Sequence, residues 1–553
     1  MKIKLLSSLI KVFKDEEPNY PALTHASMFR NERFSFQLAL CPESESEEVA
    51  VIHLACSVSH CIGMYEAVNI PAGLTCFPDA DNFFLDKSRK EYPDLLRPLT
   101  EGKAVLKAGE WTALWFILDP PERLTAGKKK LTLAVSSAGK AEERTLTLEI
   151  IDRLLPAQEL LVTNWFHNDC LCTYYRVKPF SDRYWEIFAA YVKNAVTHGV
   201  NMILTPLFTP PLDTQIGGER PTVQLVGVKK NGKDYSFDFT NLKKYITICL
   251  ENGVAAFEMS HLFTQWGAAF APKVVADVNG KETKIFGWNT RGTGKAYISF
   301  LRALAPQLDS VLMELGVADK CRFHVSDEPS LSQINSYRRA AAVIRELFPD
   351  YNTFDALSDI AFYKKGLIKT PVPNVNHADA FAGDVEHFWT YYCCGQYRDG
   401  VPNRFFAMPS VRNRVLGMLL YQYNAEGFLQ WGYNFWYTQY SKKKINPFKV
   451  TDAGGAFPAG DSFVVYPGED GKPLNSLRFE VFASGINDLR ALKLLESLSS
   501  REYALGVLNR GLDTPLRMSE YPHSSSWLIM KREEINEEIK FFLTDKPSGG
   551  KKK

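Results

Sequence analysis

Cysteine is scarce and an excess of either charge is missing, and each shortage removes a class of protein. Ten cysteines in 553 residues are too dilute for a disulfide scaffold, so reduced thiols are expected. Cys170-Leu171-Cys172 and Cys393-Cys394 have no second pair at zinc-finger spacing, so no metal site is expected from them. Lys and Arg number 65 against 63 Asp and Glu, a formal net charge of +2. No field of one sign exists to hold nucleic acid or an anionic membrane surface. No stretch approaches the ~20 apolar residues of a membrane span. The start carries Lys2 and Lys4, but Ser7, Ser8 and Lys11 break its apolar run and no small-residue cleavage site follows. It reads as an edge β-strand rather than a leader, and a cytoplasmic location is the expectation. No GxGxxG or Walker loop occurs, so no nucleotide cofactor is expected.

What is present is an ordinary globular composition, 45% hydrophobic and 23% charged. The length suggests roughly three or four units of ~150 residues, or two larger ones if one is a barrel. The first part has a period of two. Phe34, Phe36 and Leu38 alternate with Ser35 and Gln37; Leu131, Leu133 and Val135 with Thr132 and Ala134; Leu146, Leu148 and Ile150 with Thr145, Thr147 and Glu149. This predicts short antiparallel strands with one wet face, a β-sandwich over residues 1–155 with no long helix.

From about Leu160 the rhythm becomes strand, loop, helix, glycine, strand. Ser181 is positioned to cap a helix that Gly199 ends, and Thr240 to cap one that Gly253 ends. A helix ending at Gly316 precedes Arg322–Val325, and another from about Ser410 to Tyr423 precedes Phe428–Trp431. With Leu161–Phe166, Val200–Leu204, Val254–Phe257, Asn352–Phe354, Pro373–Val375 and Phe388–Tyr392, this makes eight strands. The prediction is a (β/α)8 TIM-type barrel over residues 156–545, with C-terminal flanking elements that include a helix near Ile486–Leu498. Residues 546–553, with Lys551–Lys553, read as a disordered basic tail.

In such a barrel the chemistry sits at the C-terminal strand ends. The most informative end is Phe323-His324-Val325-Ser326-Asp327-Glu328-Pro329. Ser330 and Gln333 then form a capping-box pattern, and Ile334, Tyr337, Ala341, Ile344 and Phe348 share one helical face. Asp327 and Glu328 are thereby fixed between a strand end and a helix start. Pro329 is expected to keep Glu328 extended, so that the adjacent carboxyls point to different sides of a ligand. A second feature is aromatic: 16 of the 56 residues from Val385 to Tyr440 are Phe, Trp or Tyr, 29% against 13% for the chain. Trp389, Tyr391, Tyr392, Trp431, Tyr433, Phe435 and Trp436 fall at or just past two strand ends, where aromatic faces suit a sugar ring. His167, Asp169, Asp213, His377 and Asn434 are further polar candidates near strand ends.

These residues resemble family 123 of the glycoside hydrolases. The resemblance rests on Ser326-Asp327-Glu328-Pro329, Tyr392-Cys393-Cys394-Gly395, the run Glu426 to Trp436 and Arg478-Phe479-Glu480-Val481-Phe482. Asn31 to Gln37 and Tyr92-Pro93-Asp94 extend it over nearly the whole chain. It implies a sandwich followed by a barrel and an exo-β-N-acetylgalactosaminidase acting on oligosaccharide or glycosphingolipid-type glycans by a retaining, substrate-assisted mechanism. It places the family's adjacent pair on Asp327, which orients the 2-acetamido group, and Glu328, the general acid/base. Glu328 is then expected to be protonated near neutral pH, helped by an anionic Asp327. Tyr391 or Tyr392 would bind the acetamido oxygen, and Trp431 or Trp436 would floor the sugar. Two other readings stay open. One is a glycosidase with an enzyme nucleophile, for which Glu258, Asp355 and Glu426 are strand-end candidates; the other is a non-catalytic sugar-binding protein.

Overall fold

The computed structural model describes residues 1–121 and 124–544. The expected tail, 546–553, lies outside them. The chain divides into two compact units. One holds Met1–Gln158, Tyr397–Tyr423 and the chain from Leu474 on; the other holds Glu159–Gln396 and Asn424–Pro473.

In the first unit two five-stranded sheets form the sandwich. One has the order Lys2–Ser7, Phe34–Cys41, Thr112–Leu118, Ile62–Pro71, Glu91–Pro98, all antiparallel. The other runs His25–Phe29, Lys140–Ile151, Gly127–Ser137, Glu48–Ala55, Lys103–Leu106. Its first pair is parallel, with Leu148 opposite Ala26; the remaining pairs are antiparallel. Phe36, Leu38, Leu114, Phe116, Leu131, Leu133, Leu146 and Leu148 meet in one core, as their alternation predicts.

The wet face expected beside Phe36 is absent. Ser35 and Gln37 are buried, and Gln37 Nε2 donates to Ser7 O and Ile10 O at 2.7 and 2.6 Å. The alternation was correct, but the polar positions face other protein and satisfy their amides there. Further partners come from the helix Leu477–Leu498, which begins well before the predicted Ile486. Arg33 grips Glu480 with Nε and Nη2 at 2.8 and 3.0 Å. Arg478 grips Asp94 with Nε and Nη2 at 2.7 and 3.0 Å. Segments far apart in sequence that carry the family resemblance therefore meet as buried bidentate ion pairs.

In the second unit eight parallel strands form the barrel: β1 (Leu161–Asn164), β2 (Met202–Thr205), β3 (Ala256–Met259), β4 (Cys321–Phe323), β5 (Asn352–Ala356), β6 (Thr370–Val372), β7 (Trp389–Tyr391) and β8 (Gly427–Gln430). The order is β6-β5-β4-β3-β2-β1-β8-β7, and a parallel bridge from Asn374 to Tyr391 joins the ends. Phe354, Ala356, Val372, Trp389, Met202, Leu204, Ala256 and Leu429 fill the interior. At Gly427 a Cβ would lie 2.3 Å from the Trp389 ring, so β8 tolerates no side chain there.

Helices follow the expected punctuation with two exceptions. Ser181 caps Asp182–Thr197 through Tyr184 N, and Gln333 Oε1 accepts the Ser330 N–H at 2.9 Å ahead of Ile334–Leu347. Thr240, however, is the first helical residue; Asp238 Oδ1 takes its N–H at 2.9 Å and outcompetes it as the cap. The sixth strand is Thr370–Val372 rather than Pro373–Val375, because the Asn374 side chain accepts from Asn376 N and starts a 3₁₀ turn. An antiparallel pair on each edge of a four-stranded sheet, Gly227–Asn231 with Asp234–Asp238 and Val274–Val278 with Lys281–Phe286, was not anticipated. Among the described residues no helix is long and apolar enough to cross a membrane.

Candidate active site

A cavity of about 180 Å3 opens at the C-terminal ends of the barrel strands. Trp165 follows β1, Asp213 lies in the loop after β2, and Gln265 and Trp266 in the loop after β3. Asp327 and Glu328 follow β4, Tyr391 ends β7 with Cys393 and Cys394 beyond, and Trp431, Gln439, Tyr440 and Phe457 follow β8. Ala356 ends β5 on the same cavity, so barrel closure brings seven strand ends onto one space.

Asp327 and Glu328 are held by their backbones. Glu328 N donates to Ala356 O at 3.0 Å, and Trp266 N donates to Asp327 O at 2.8 Å. Glu328 is not extended: its φ is +42°. Pro329 excludes the right-handed helical region, and these two anchors turn the chain into the left-handed one. That conformation is costly for a residue with a Cβ. Tyr391 Oη donates to Glu328 Oε1 at 2.6 Å. Neither carboxylate pairs with an Arg or Lys among the described residues.

Asp327 keeps a surface on the cavity yet lies deep among protein atoms. Loss of bulk solvation, then the charge of Glu328, push its carboxyl well above the usual carboxylate range. Asp327, which the sequence reading took as anionic, is thus the carboxyl that its surroundings raise. Burial likewise keeps Tyr391 a neutral donor.

Beneath the pair is a buried clamp. His324 Nε2 contacts Glu258 Oε1 at 2.5 Å and its Nδ1 contacts Asp355 Oδ1 at 2.9 Å. Glu258 also accepts from Thr163 Oγ1 and Trp165 Nε1, both at 2.6 Å. Asp355 accepts from Tyr337 Oη at 2.7 Å and from Val325 N and Ser326 N. Burial opposes the imidazolium, but the two carboxylates outweigh it and raise His324 to about 9. Glu258 and Asp355 are therefore occupied below the cavity. Glu426, the third strand-end acid, precedes β8 at the opposite end of the barrel and meets His387 at 3.0 Å. His261, His324 and Asp355 bring ligand atoms within 4.8 Å of one another. With both His324 nitrogens on carboxylates, the group is a proton-bound clamp rather than a ready metal ligand set.

Of the sequence candidates, Asp327, Glu328, Tyr391, Trp431 and Asp213 line the cavity. Burial lifts Asp213 to about 6. The others lie elsewhere. His167 is buried, with Nε2 2.8 Å from Trp431 O and Nδ1 3.0 Å from Arg220 Nη2; desolvation and Arg220 lower it to about 3. It is a neutral ring that supports the Trp431 backbone. Asp169 forms a bidentate pair with Arg220. Asn434 exchanges hydrogen bonds with the His167 backbone at 2.8 and 3.2 Å. Trp389 fills the barrel interior, Trp436 donates to Val465 O, Tyr392 packs on Phe428, and His377 is exposed beside Asn374. Sequence reasoning missed Trp165, Gln265, Trp266, Gln439, Tyr440 and Phe457. Trp165 was visible inside a predicted strand; the rest lie in loops whose course no period foretells.

The sequence matches the glycoside hydrolase 123 catalytic domain over residues 165–495. No curated protein matches it. In structure it is similar to a family 123 glycoside hydrolase from Clostridium perfringens, studied for glycolipid glycan hydrolysis. The TM-score is 0.76 at 15% identity, covering 98% of each chain. Looser likenesses are to a Parabacteroides merdae β-glucuronidase and an endo-β-1,4-mannanase from Thermotoga petrophila. For the first the TM-score is 0.32 at 10% identity, covering 83% of this chain and 51% of that one. For the second it is 0.35 at 12%, covering 61% and 78%.

Proposed function

Since the chain belongs to glycoside hydrolase family 123, we propose that it is an exo-acting, retaining β-N-acetylgalactosaminidase that removes terminal β-linked GalNAc from glycans. Glycolipid glycans, hydrolysed by the Clostridium perfringens relative, are the proposed substrate class. The observation that carries the mechanism is the adjacent pair itself, with Asp327 and Glu328 on one cavity and the other strand-end acids Glu258 and Asp355 engaged by His324.

In this reading the 2-acetamido oxygen attacks the anomeric carbon while Glu328 protonates the departing glycosidic oxygen. Asp327 accepts the acetamido N–H, which orients the nucleophile and offsets positive charge on the oxazolinium that forms. That N–H favours the anion on Asp327 once the substrate is bound. Glu328 then takes a proton from water, which attacks the same carbon and reopens the oxazoline ring. Two inversions give retention. Tyr391 holds Glu328 through its 2.6 Å hydrogen bond, and Trp431, half-buried on the cavity wall, is the floor for the sugar face. The preference for the galacto epimer follows from the family resemblance.

Asp213 supports a second reading, since it is the further carboxyl on the cavity and could serve as an enzyme nucleophile. Initial rates on aryl β-glycosides of GalNAc, GlcNAc and galactose separate the two. Release from GalNAc alone supports substrate assistance and the epimer preference. Comparable release from galactose would make the acetamido group dispensable and transfer the nucleophile's role to Asp213.

A further inference from the structure

Two adjacent cysteines stand on the wall of the cavity, and the proposed mechanism uses neither. Cys393 and Cys394 follow β7, both half-buried and neither in a disulfide, and both line the space that Asp327 and Glu328 share. A tight turn holds them. Gln396 N donates to Cys393 O at 3.2 Å, and Cys393 N donates to Gln396 Oε1 at 2.8 Å. Cys393 packs on the barrel core at one side, and two residues before it Tyr391 donates to Glu328. The Cys393 thiol donates a hydrogen bond to the Cys394 sulfur, so the two sulfurs already face each other. That bond, then burial, pushes the Cys393 thiol well above its usual range. The same bond favours the Cys394 thiolate, but burial and the Asp461 and Glu328 carboxylates outweigh it and raise Cys394 as well.

The pair is therefore held as neutral thiols, and a metal cation or an alkylating reagent, which needs a thiolate, finds little of it. A direct S–S bond is also disfavoured. Neighbouring Cα atoms lie about 3.8 Å apart, under the ~4.4 Å that unstrained disulfides need. A single atom bridging the two sulfurs removes that conflict. We infer that Cys393 and Cys394 form a dithiol site for trivalent arsenicals, and that the captured group blocks the active-site cavity. Sulfur is a soft ligand and favours a soft centre. With an arsenoxide, R–As=O, two As–S bonds form while the As=O bond and both S–H bonds break. The oxygen leaves with both protons as water, arsenic stays trivalent and no electron is transferred. The step consumes neutral thiols, the form in which this turn holds the pair. Because both sulfurs sit on one turn, the second As–S bond closes within the molecule. The barrel core fills one side of Cys393, so the organic group on arsenic projects into the cavity.

The probe is phenylarsine oxide on the full chain, read by intact mass and by peptide mapping after iodoacetamide. Near-equimolar reagent should add one phenylarsenic group with loss of two hydrogens, and should protect only the peptide that carries Cys393 and Cys394. Dimercaptopropanol should strip the adduct. In Cys393→Ser and Cys394→Ser, mercaptoethanol should release it at concentrations about a hundredfold or more below those the wild type withstands. Protection that maps to other cysteines, or equal resistance to mercaptoethanol in both serine variants, would overturn the site. The blockade rests on the activity proposed above and is read separately. Treated wild type should lose its hydrolysis of an aryl β-GalNAc substrate and regain it with dimercaptopropanol. Each serine variant, treated and then given mercaptoethanol, should match its own untreated sample. A mapped adduct with the full rate would overturn the blockade. If the untreated wild type did not hydrolyse the substrate, the proposed activity itself would fail, and the mass and mapping data would still decide the site.

Discussion

Replacing His324 by glutamine removes the buried cation that Glu258 and Asp355 enclose. The side chain of His324 is fully buried between them, and its pKa rises from 6.5 to about 9. A group whose folded-state pKa is raised stabilises the fold fully below its unfolded pKa. That contribution is lost as pH rises through the folded value. The window for His324 therefore runs from about 6.5 to about 9, and the shift amounts to about 3 kcal/mol. Glutamine can donate to one carboxylate, but its oxygen faces the other, so a buried pair is broken at a cost of about 3–5 kcal/mol near neutral pH. The assay is denaturant unfolding of wild type and variant across this window. The wild type should lose stability as pH rises, and the difference between the two should shrink by about 3 kcal/mol. His324 also lowers the Asp327 pKa, so Asp327 should keep its proton to higher pH in the variant. A wild type whose stability is flat across the window, or a difference that grows with pH, would refute the charged-clamp account.

Other consequences are separable from this one. Arg478→Met leaves Asp94 buried without its bidentate partner and should cost about 3–5 kcal/mol in unfolding free energy; adding Asp94→Leu should recover much of it. Gly427→Ala drives a methyl into the Trp389 ring and should lower the unfolding free energy, measured by denaturant titration, by about 1–3 kcal/mol. Tyr391→Phe removes the O–H donor to Glu328. It should lower kcat/KM roughly tenfold, measured on an aryl β-GalNAc substrate, because the carboxyl loses the bond that holds its orientation.

The barrel and the place of the adjacent carboxyls at a strand end were legible because local chemistry dictates them. Ser-cap, apolar stripe and glycine stop repeat along the chain, and Asp327-Glu328-Pro329 sits between a strand and a capping box. What local sequence cannot carry is which side of a strand faces what. Trp389 and Trp431 look alike in sequence, yet one fills the barrel and the other lines the cavity, since each depends on the register of a neighbouring strand. Ser35 and Gln37 looked solvated because alternation reports two faces, not what covers the second. Trp266 and Tyr440 were missed because left-handed backbone at an aromatic residue is set by tertiary hydrogen bonds, to Asp327 and Asp213, that no short window contains. Glu328 itself departs from the extended conformation its proline suggests for the same reason.

The most direct test of the central claim is Glu328→Gln measured on two β-GalNAc substrates, one with an alkyl leaving group and one with a dinitrophenyl group. The account predicts a loss of about two to four powers of ten on the alkyl glycoside, which needs a proton, and a much smaller loss on the activated one. Equal losses on both, or full activity on the alkyl glycoside, would contradict the assignment of Glu328 as the general acid.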